Sequence, residues 1–236
     1  MTDHIDNSLK KRLVSLRNAA IEEYRTDFHP QRLLKTLCRN VDKILIDAWN
    51  ETGLSSEHVL IAVGGYGRGE LYPYSDIDVL ILLNRNPDSD LQQKLESLIQ
   101  TFWSLGLTIG HSVRTIDECL EESAHDITIQ TSLLEARYIT GSRRLFRQMK
   151  ERYDAQMNAQ AFFIAKMLET RQRHVKMGDT PYSLEPNCKE SPGGLRDLQV
   201  ILWAAKAAKL GSSWNELAQR GLITPSEAQQ LRKKER

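Results

Sequence analysis

Apolar residues recur every three or four positions through the start of the chain. Ile5, Leu9, Leu13, Leu16, Ala20 and Tyr24 form one stripe, which predicts an amphipathic helix over 4–26. His29-Pro30 breaks it. Leu33, Leu34, Leu37, Val41, Ile44, Leu45 and Ala48 then predict a second helix, ended by Gly53 and the Ser55-Ser56 pair. After this the period changes. His58–Val63 and Ile77–Leu83 are short apolar, β-rich runs, the second interrupted only by Asp78. Leu91, Leu95, Leu98, Ile99, Phe102 and Trp103 give a helix face, and Leu107–Val113 reads as a third strand. Strand, loop, strand, helix and strand in this order make an α/β unit. Beyond Thr115 the chain reads as helical, over 116–122, 126–139 and 142–176. A loop rich in Pro, Gly and Asn spans 178–195, followed by a helix over 196–209 and a polar segment over 213–235. Trp103, Trp203 and Trp214 fall at helical spacing with other apolar residues and are expected in the core. The pattern divides the chain into N-terminal helices (1–57), a core (58–140) and a C-terminal helical region (141–236).

Composition narrows the class. At 236 residues and 40% hydrophobic content the chain can build a true core. Its 32 basic and 31 acidic residues leave a net charge of +1, which argues against a protein held to nucleic acid by bulk charge. No apolar run is long enough for a membrane helix, and the N-terminus lacks the apolar stretch of a secretory signal. Cys38, Cys119 and Cys188 are odd in number, widely spaced and without metal-ligand spacing. They read as free thiols, which places the protein in a reducing cytoplasm. The chain ends on LRKKER without cap logic, as expected where a longer protein has been cut.

The chemistry concentrates at residues 63–80, VGGYGRGELYPYSDIDVL. Gly64 and Gly65 at a strand end let the backbone turn sharply and bring N–H groups close to a phosphate. Ser75 can add a hydroxyl. Arg68 is either a phosphate contact or an arginine paired with a glutamate. Asp76 and Asp78 stand at i and i+2, a spacing that puts both carboxylates on one side of a strand. Two adjacent carboxylates repel unless a cation lies between them. Mg²⁺ takes oxygen ligands and is held by one or two carboxylates plus substrate phosphates. A glycine pair ahead of an Asp-x-Asp is therefore a coherent nucleotide–metal site. No P-loop pattern is present, and the glycines lead to a strand rather than a helix, which disfavours a dinucleotide fold.

The Gly-Gly and Asp-x-Asp pair after a strand resembles the signature of the DNA polymerase β-like nucleotidyltransferase superfamily. The longer string GGYGRGELYPYSDIDVLIL resembles one branch, the PII uridylyltransferase/uridylyl-removing enzymes of bacterial nitrogen control. GLTIGHSVRTIDECL (106–120), DITIQTSLLEARYITG (126–141) and YSLEPNCKESPGGLRDLQVILW (182–203) resemble the same branch. The resemblance implies an α+β nucleotidyltransferase fold with a small mixed sheet, preceded by two helices and followed by a helical region. It implies transfer of UMP from UTP to a tyrosine of the PII protein, with release of pyrophosphate. Gly64 and Gly65 would contact the UTP phosphates, and Asp76 and Asp78 would bind Mg²⁺. The superfamily adds a third carboxylate on a later strand. LTIGHSVRT holds none, so Asp117, Glu118 or Asp126 would have to reach in, while His111 takes a site-facing position. Full-length relatives carry a hydrolase domain and glutamine-sensing domains. Neither fits in 236 residues, so uridylyl removal and glutamine response are expected only of a longer protein.

A second motif, KESPGGLRD (189–197), resembles a stretch shared with glutamine synthetase adenylyltransferases. Its turn plus helix start suits an anion, with Lys189 and Arg196 as candidate nucleotide contacts. The alternative is that Arg196 and Asp197 cap and brace a helix. Two rival functions stand beside uridylyl transfer. One is an ATP-using nucleotidyltransferase acting on a protein or small molecule, since base choice is not written in these motifs. The other is a non-catalytic nucleotide-binding regulatory domain. Neither calls for nucleic acid or a membrane as partner.

Overall fold

The computed structural model describes residues 2–180, 185 and 187–235, and among these the side chains from 8 to 234. Part of the loop expected over 178–195 lies outside the described residues, as does the side chain of Ile5. The chain divides into two compact units, Met1–Asp154 and Ala155–Arg236.

In the first unit, helices α1 (Thr2–Asp27) and α2 (Pro30–Glu51) meet where His29-Pro30 breaks the chain. Proline opens α2, where its missing N–H leaves no bond unmade. Leu9, Leu13 and Ala20 of α1 and Leu34, Leu37, Val41, Ile44, Leu45 and Ala48 of α2 are buried, so the helical stripes form the inner faces. Four strands follow: β1 (Val59–Ala62), β2 (Ile77–Leu83), β3 (Ile109–Thr115) and β4 (Arg137–Gly141). They pair in the order β3-β2-β1-β4. β1 runs antiparallel to β2 and β4, and β2 runs parallel to β3, so the sheet is mixed. The central β1 is buried at all four positions. One core joins the sheet to α1, α2 and α4 (Ser89–Ser104). Helices α5 (Ile116–His125), α6 (Ile127–Leu134) and α7 (Arg143–Gln156) complete the α+β arrangement.

Several expectations change. The glycine pair opens a one-turn helix, α3 (Gly64–Gly67), before the chain reaches β2. Residues 137–141, expected within or beside helices, form β4, which pairs with β1 across an irregularity at Leu60/Ile61. The single helix expected over 142–176 breaks at Met157–Asn158, where the Asn158 side chain accepts from the Ala161 N–H and starts α8 (Ala159–Lys176). Trp103 is 60% exposed, while Trp203 and Trp214 are buried as expected. Trp103 lies one residue, or about 100°, off the stripe of Leu91, Leu95, Leu98 and Phe102.

The second unit holds α8, α9 (Leu195–Ala207), α10 (Trp214–Gln219) and α11 (Pro225–Glu235). Ala205, Trp214, Leu217 and Ala228 pack into an apolar cluster there. The segment expected to be merely polar over 213–235 thus contains two short helices. Among the described residues no helix is long and apolar enough to cross a membrane. The three cysteines are unpaired.

Candidate active site

The glycine turn and β2 are joined through Asp78. The Val63 N–H donates to the Asp78 carbonyl at 3.0 Å, so the chain entering the turn is bonded to the strand that carries the acid. Gly64 has φ +56°, and a Cβ there would lie 3.2 Å from Asp78 Oδ2. Gly110 pairs in register with Asp78 from β3, and a Cβ there would lie 2.5 Å from Asp78 Oδ1. The Asp78 carboxylate is therefore packed between two glycine backbones, one from each side. As at any helix start, the first N–H groups of α3, those of Gly64, Gly65 and Tyr66, have no carbonyl four residues back to take them.

Asp76 is exposed and immediately precedes β2, while Asp78 is half-buried within it. Ile77 and Val79 are buried between and after them. This alternation sends Asp76 and Asp78 to the side away from the core. Ser75 is exposed beside Asp76, its N–H donating to the Tyr72 carbonyl at 3.1 Å.

A cavity of about 360 Å³ opens over the Asp78 side of the sheet, with Gly110, Ser112, Arg114, Asp126 and Ser132 among its walls. The structure separates the three acids named above. Asp117 is 81% exposed and pairs with Arg152 at 2.6 Å. Glu118 closes a capping box with Thr115 at the start of α5. Asp126 lies on the cavity wall. Its Oδ1 accepts from the N–H groups of Thr128 and Ile129, at 2.6 and 3.4 Å, capping α6. The Thr128 N–H above all holds its carboxyl below the usual carboxylate range, so Asp126 is ionised near neutral pH. Among the described residues, no three His, Cys, Asp or Glu side chains are grouped closely enough to hold a metal by themselves. The oxygen donors of Asp76 and Asp78 nevertheless fit a hard cation that keeps water and phosphate ligands.

His111 stands at the edge of this site. It reaches the cavity wall, but its register partner is the buried Val79, on the opposite sheet face from Asp78. Its ring packs edge-on against Trp103 with centroids 5.8 Å apart.

Behind the turn lies a polar network that sequence reasoning missed. The Tyr66 ring is buried, and its hydroxyl donates to Asp42 Oδ1 on α2. Arg137 of β4 donates to both Asp42 oxygens, at 2.8 and 3.1 Å, and to the Tyr66 carbonyl at 3.4 Å. Its guanidinium also lies over the Tyr66 ring, 5.2 Å from the centroid. Burial and the nearby Asp42 charge push the Tyr66 phenol well above its ordinary pKa. The same two causes push the Cys38 thiol up to about 11, so it stays protonated. The available signal was Asp42 itself, an acid four residues after Cys38 on the apolar stripe of α2. Arg68 pairs with the buried Glu135 at 3.1 Å, the glutamate-paired alternative, and its guanidinium stays beside Gly65.

Lys189 and Arg196 belong to the second unit. Arg196 donates to Gln199 at 2.9 Å and to Glu190 at 3.1 Å. Lys189 is exposed. The turn before α9 satisfies its own N–H groups. Gly193 donates to Asp197 Oδ2, and Gly194, Leu195, Arg196 and Asp197 donate to carbonyls of residues 188–194. Asp197 also accepts from Arg173 and His174. This is the bracing arrangement, with the acid of the helix itself in the anion's place.

Comparison with known proteins fits this geometry. Residues 38–134 match the family model described as a nucleotidyltransferase domain, and residues 161–236 match the one described as GlnD PII-uridylyltransferase. A bifunctional uridylyltransferase/uridylyl-removing enzyme of Cupriavidus pinatubonensis is 54% identical over 97% of this chain and 26% of its own length. That of Cupriavidus metallidurans is 54% identical over 97% and 27%. That of Burkholderia mallei is 55% identical over 91% and 25%. The chain thus spans about a quarter of the length of these relatives. With the two matches in tandem and this identity along nearly all its length, the chain belongs to the GlnD-type PII-uridylyltransferase family and carries a nucleotidyltransferase domain.

Proposed function

We propose that this chain transfers UMP from UTP to a tyrosine hydroxyl of the PII signal protein, with Mg²⁺, and releases pyrophosphate. The observation that carries the reading is the Asp78 carboxylate packed between Gly64 and Gly110 at the cavity, with the exposed Asp76 two residues ahead of it in sequence. The glycine turn lets the triphosphate approach main-chain N–H groups without a Cβ in the way. Arg68, already oriented by Glu135, sets positive charge next to Gly65. Ser75 offers a hydroxyl at the loop. Asp76 and Asp78 would hold the Mg²⁺, whose remaining ligands would be water and phosphate oxygens, and Asp126 would add negative charge from the cavity wall. Bound there, the ion would offset phosphate charge and lower the pKa of the attacking hydroxyl. The tyrosine oxygen attacks the α-phosphorus of UTP, and the bond from that phosphorus to the bridging oxygen breaks. The pyrophosphate takes the electron pair. The hydroxyl proton passes to a carboxylate of the site or to water. The protein's part is to position the reactants and stabilise developing charge. UTP and PII in this reading put the protein in the cytoplasm.

Pyrophosphate release from UTP with Mg²⁺ and purified PII tests the proposal, for the parent and for Asp76→Asn and Asp78→Asn. Each variant should lose about 100-fold or more in rate. Release with ATP but not UTP would favour an adenylyl donor instead. UTP binding without release would make this chain a nucleotide-binding domain only.

A further inference from the structure

We propose that Asp42 and Arg137 are positioning residues, a charged clamp behind the glycine turn that holds Gly64 against the Asp78 carboxylate. The inference rests on the reading above, in which that turn receives the nucleotide phosphates. Three elements far apart in sequence meet here. α2 supplies Asp42, β4 supplies Arg137 and the turn supplies Tyr66. Asp42 and Arg137 are 19% and 29% exposed, so water screens the pair only in part. The two Asp42 oxygens take three donors, the Tyr66 hydroxyl and both terminal nitrogens of Arg137. Arg137 Nε is buried and finds no acceptor among the described residues, so Asp42 fixes the guanidinium.

Apolar packing alone would set how deep Tyr66 lies. It would not set the rotation of the turn, because it has no direction. The clamp does, since it grips the turn at two kinds of atom. Asp42 holds the Tyr66 side chain, and Arg137 reaches the Tyr66 main-chain carbonyl. On the next residue a close approach fixes the other side. A Cβ on Gly67 would lie 2.2 Å from the Glu135 carbonyl, and Glu135 also pairs with Arg68. The turn is thus pinned to α2 on one side and to the α6–β4 junction on the other. Gly64, at its leading end, is left facing Asp78.

The test uses the full chain with Asp42→Asn, Asp42→Glu and Tyr66→Phe, the last removing only a hydroxyl. Hydrogen exchange over 63–69 is read beside the melting temperature and the UTP kinetics. Asp42→Asn and Tyr66→Phe should speed exchange over 63–69 while β2 stays protected. The KM for UTP should rise about ten-fold, with kcat changed less. Asp42→Glu should recover part of both. Unchanged exchange over 63–69, or a lower melting temperature with an unchanged KM, would overturn the clamp. If the parent releases no pyrophosphate, the transfer reading fails. The exchange comparison still decides the clamp by the same criterion.

Discussion

Gly110 leaves the least room at the site. A Cβ there would fall 2.5 Å from Asp78 Oδ1, too close for any real contact, while its φ lies outside the left-handed region, so alanine suits the backbone. Gly110→Ala should therefore shift the carboxylate without unfolding the sheet. Transfer should fall about 100-fold at a nearly unchanged melting temperature, read from initial rates and a thermal melt. In the proposed reading Asp126 both caps α6 and lends charge to the cavity, two tasks that substitution can separate. Asparagine caps a helix as well as aspartate does, so Asp126→Asn should keep α6 and slow transfer. Asp126→Ala should slow transfer and also lose about 1 kcal/mol of stability, measured by urea unfolding. Asp117→Asn, by contrast, should leave the rate unchanged, because Asp117 faces Arg152 and solvent. At this scale the sequence was legible where the chemistry is contiguous. Gly64, Gly65, Asp76 and Asp78 fall within one short stretch. The clamp is not contiguous: Tyr66 and Asp42 are 24 positions apart, and Arg137 and Asp42 are 95 apart. No local pattern joins them.

Among the elements, the expected β2 matches residue for residue, because a run of branched apolar residues buried on both faces leaves little choice. β4 escaped for the opposite reason. Of Arg137–Gly141 only Ile139 is buried, so the strand has almost no apolar signal and takes its place from pairing with β1. The break between α7 and α8 escaped because the apolar spacing runs on past it. The stop is written in one polar residue, Asn158, whose side chain accepts from the Ala161 N–H at 3.0 Å. If that cap sets the break, Asn158→Ala should cost the start of α8 about 1 kcal/mol. Faster hydrogen exchange confined to residues 159–163 would register it, and Asn158→Asp should keep the protection. Unchanged exchange in the alanine variant would place the stop elsewhere.

For the molecule as a whole, the division at Asp154/Ala155 separates two ways of holding a fold together. The first unit is organised on an apolar core running from Leu9 to Ile139. The second combines its apolar cluster with a charge network in which Asp197 accepts from Arg173, His174 and the Gly193 N–H. Burial works to raise the Asp197 pKa. Arg173, then His174 and the Gly193 N–H, outweigh burial and hold it below the ordinary carboxylate value. The sign of the pH effect follows. A depressed native pKa means that the unfolded chain takes up the proton first as pH falls. The stabilisation by Asp197 is therefore fully present above the ordinary carboxylate pKa. It is lost as the pH drops through that value and then through the lower native one. Around Asp197, Arg173 and Arg196 also hold Glu190, so losing one acid leaves two guanidinium groups sharing the other. Acid should accordingly loosen the start of α9 before it opens β1 and β2. Hydrogen exchange from neutral pH down to about pH 3 would resolve that order. Asp197→Asn should destabilise α9 at neutral pH, and its gap from the parent should close as the pH falls. A gap that stayed constant with pH would assign the effect to hydrogen-bond geometry rather than to charge.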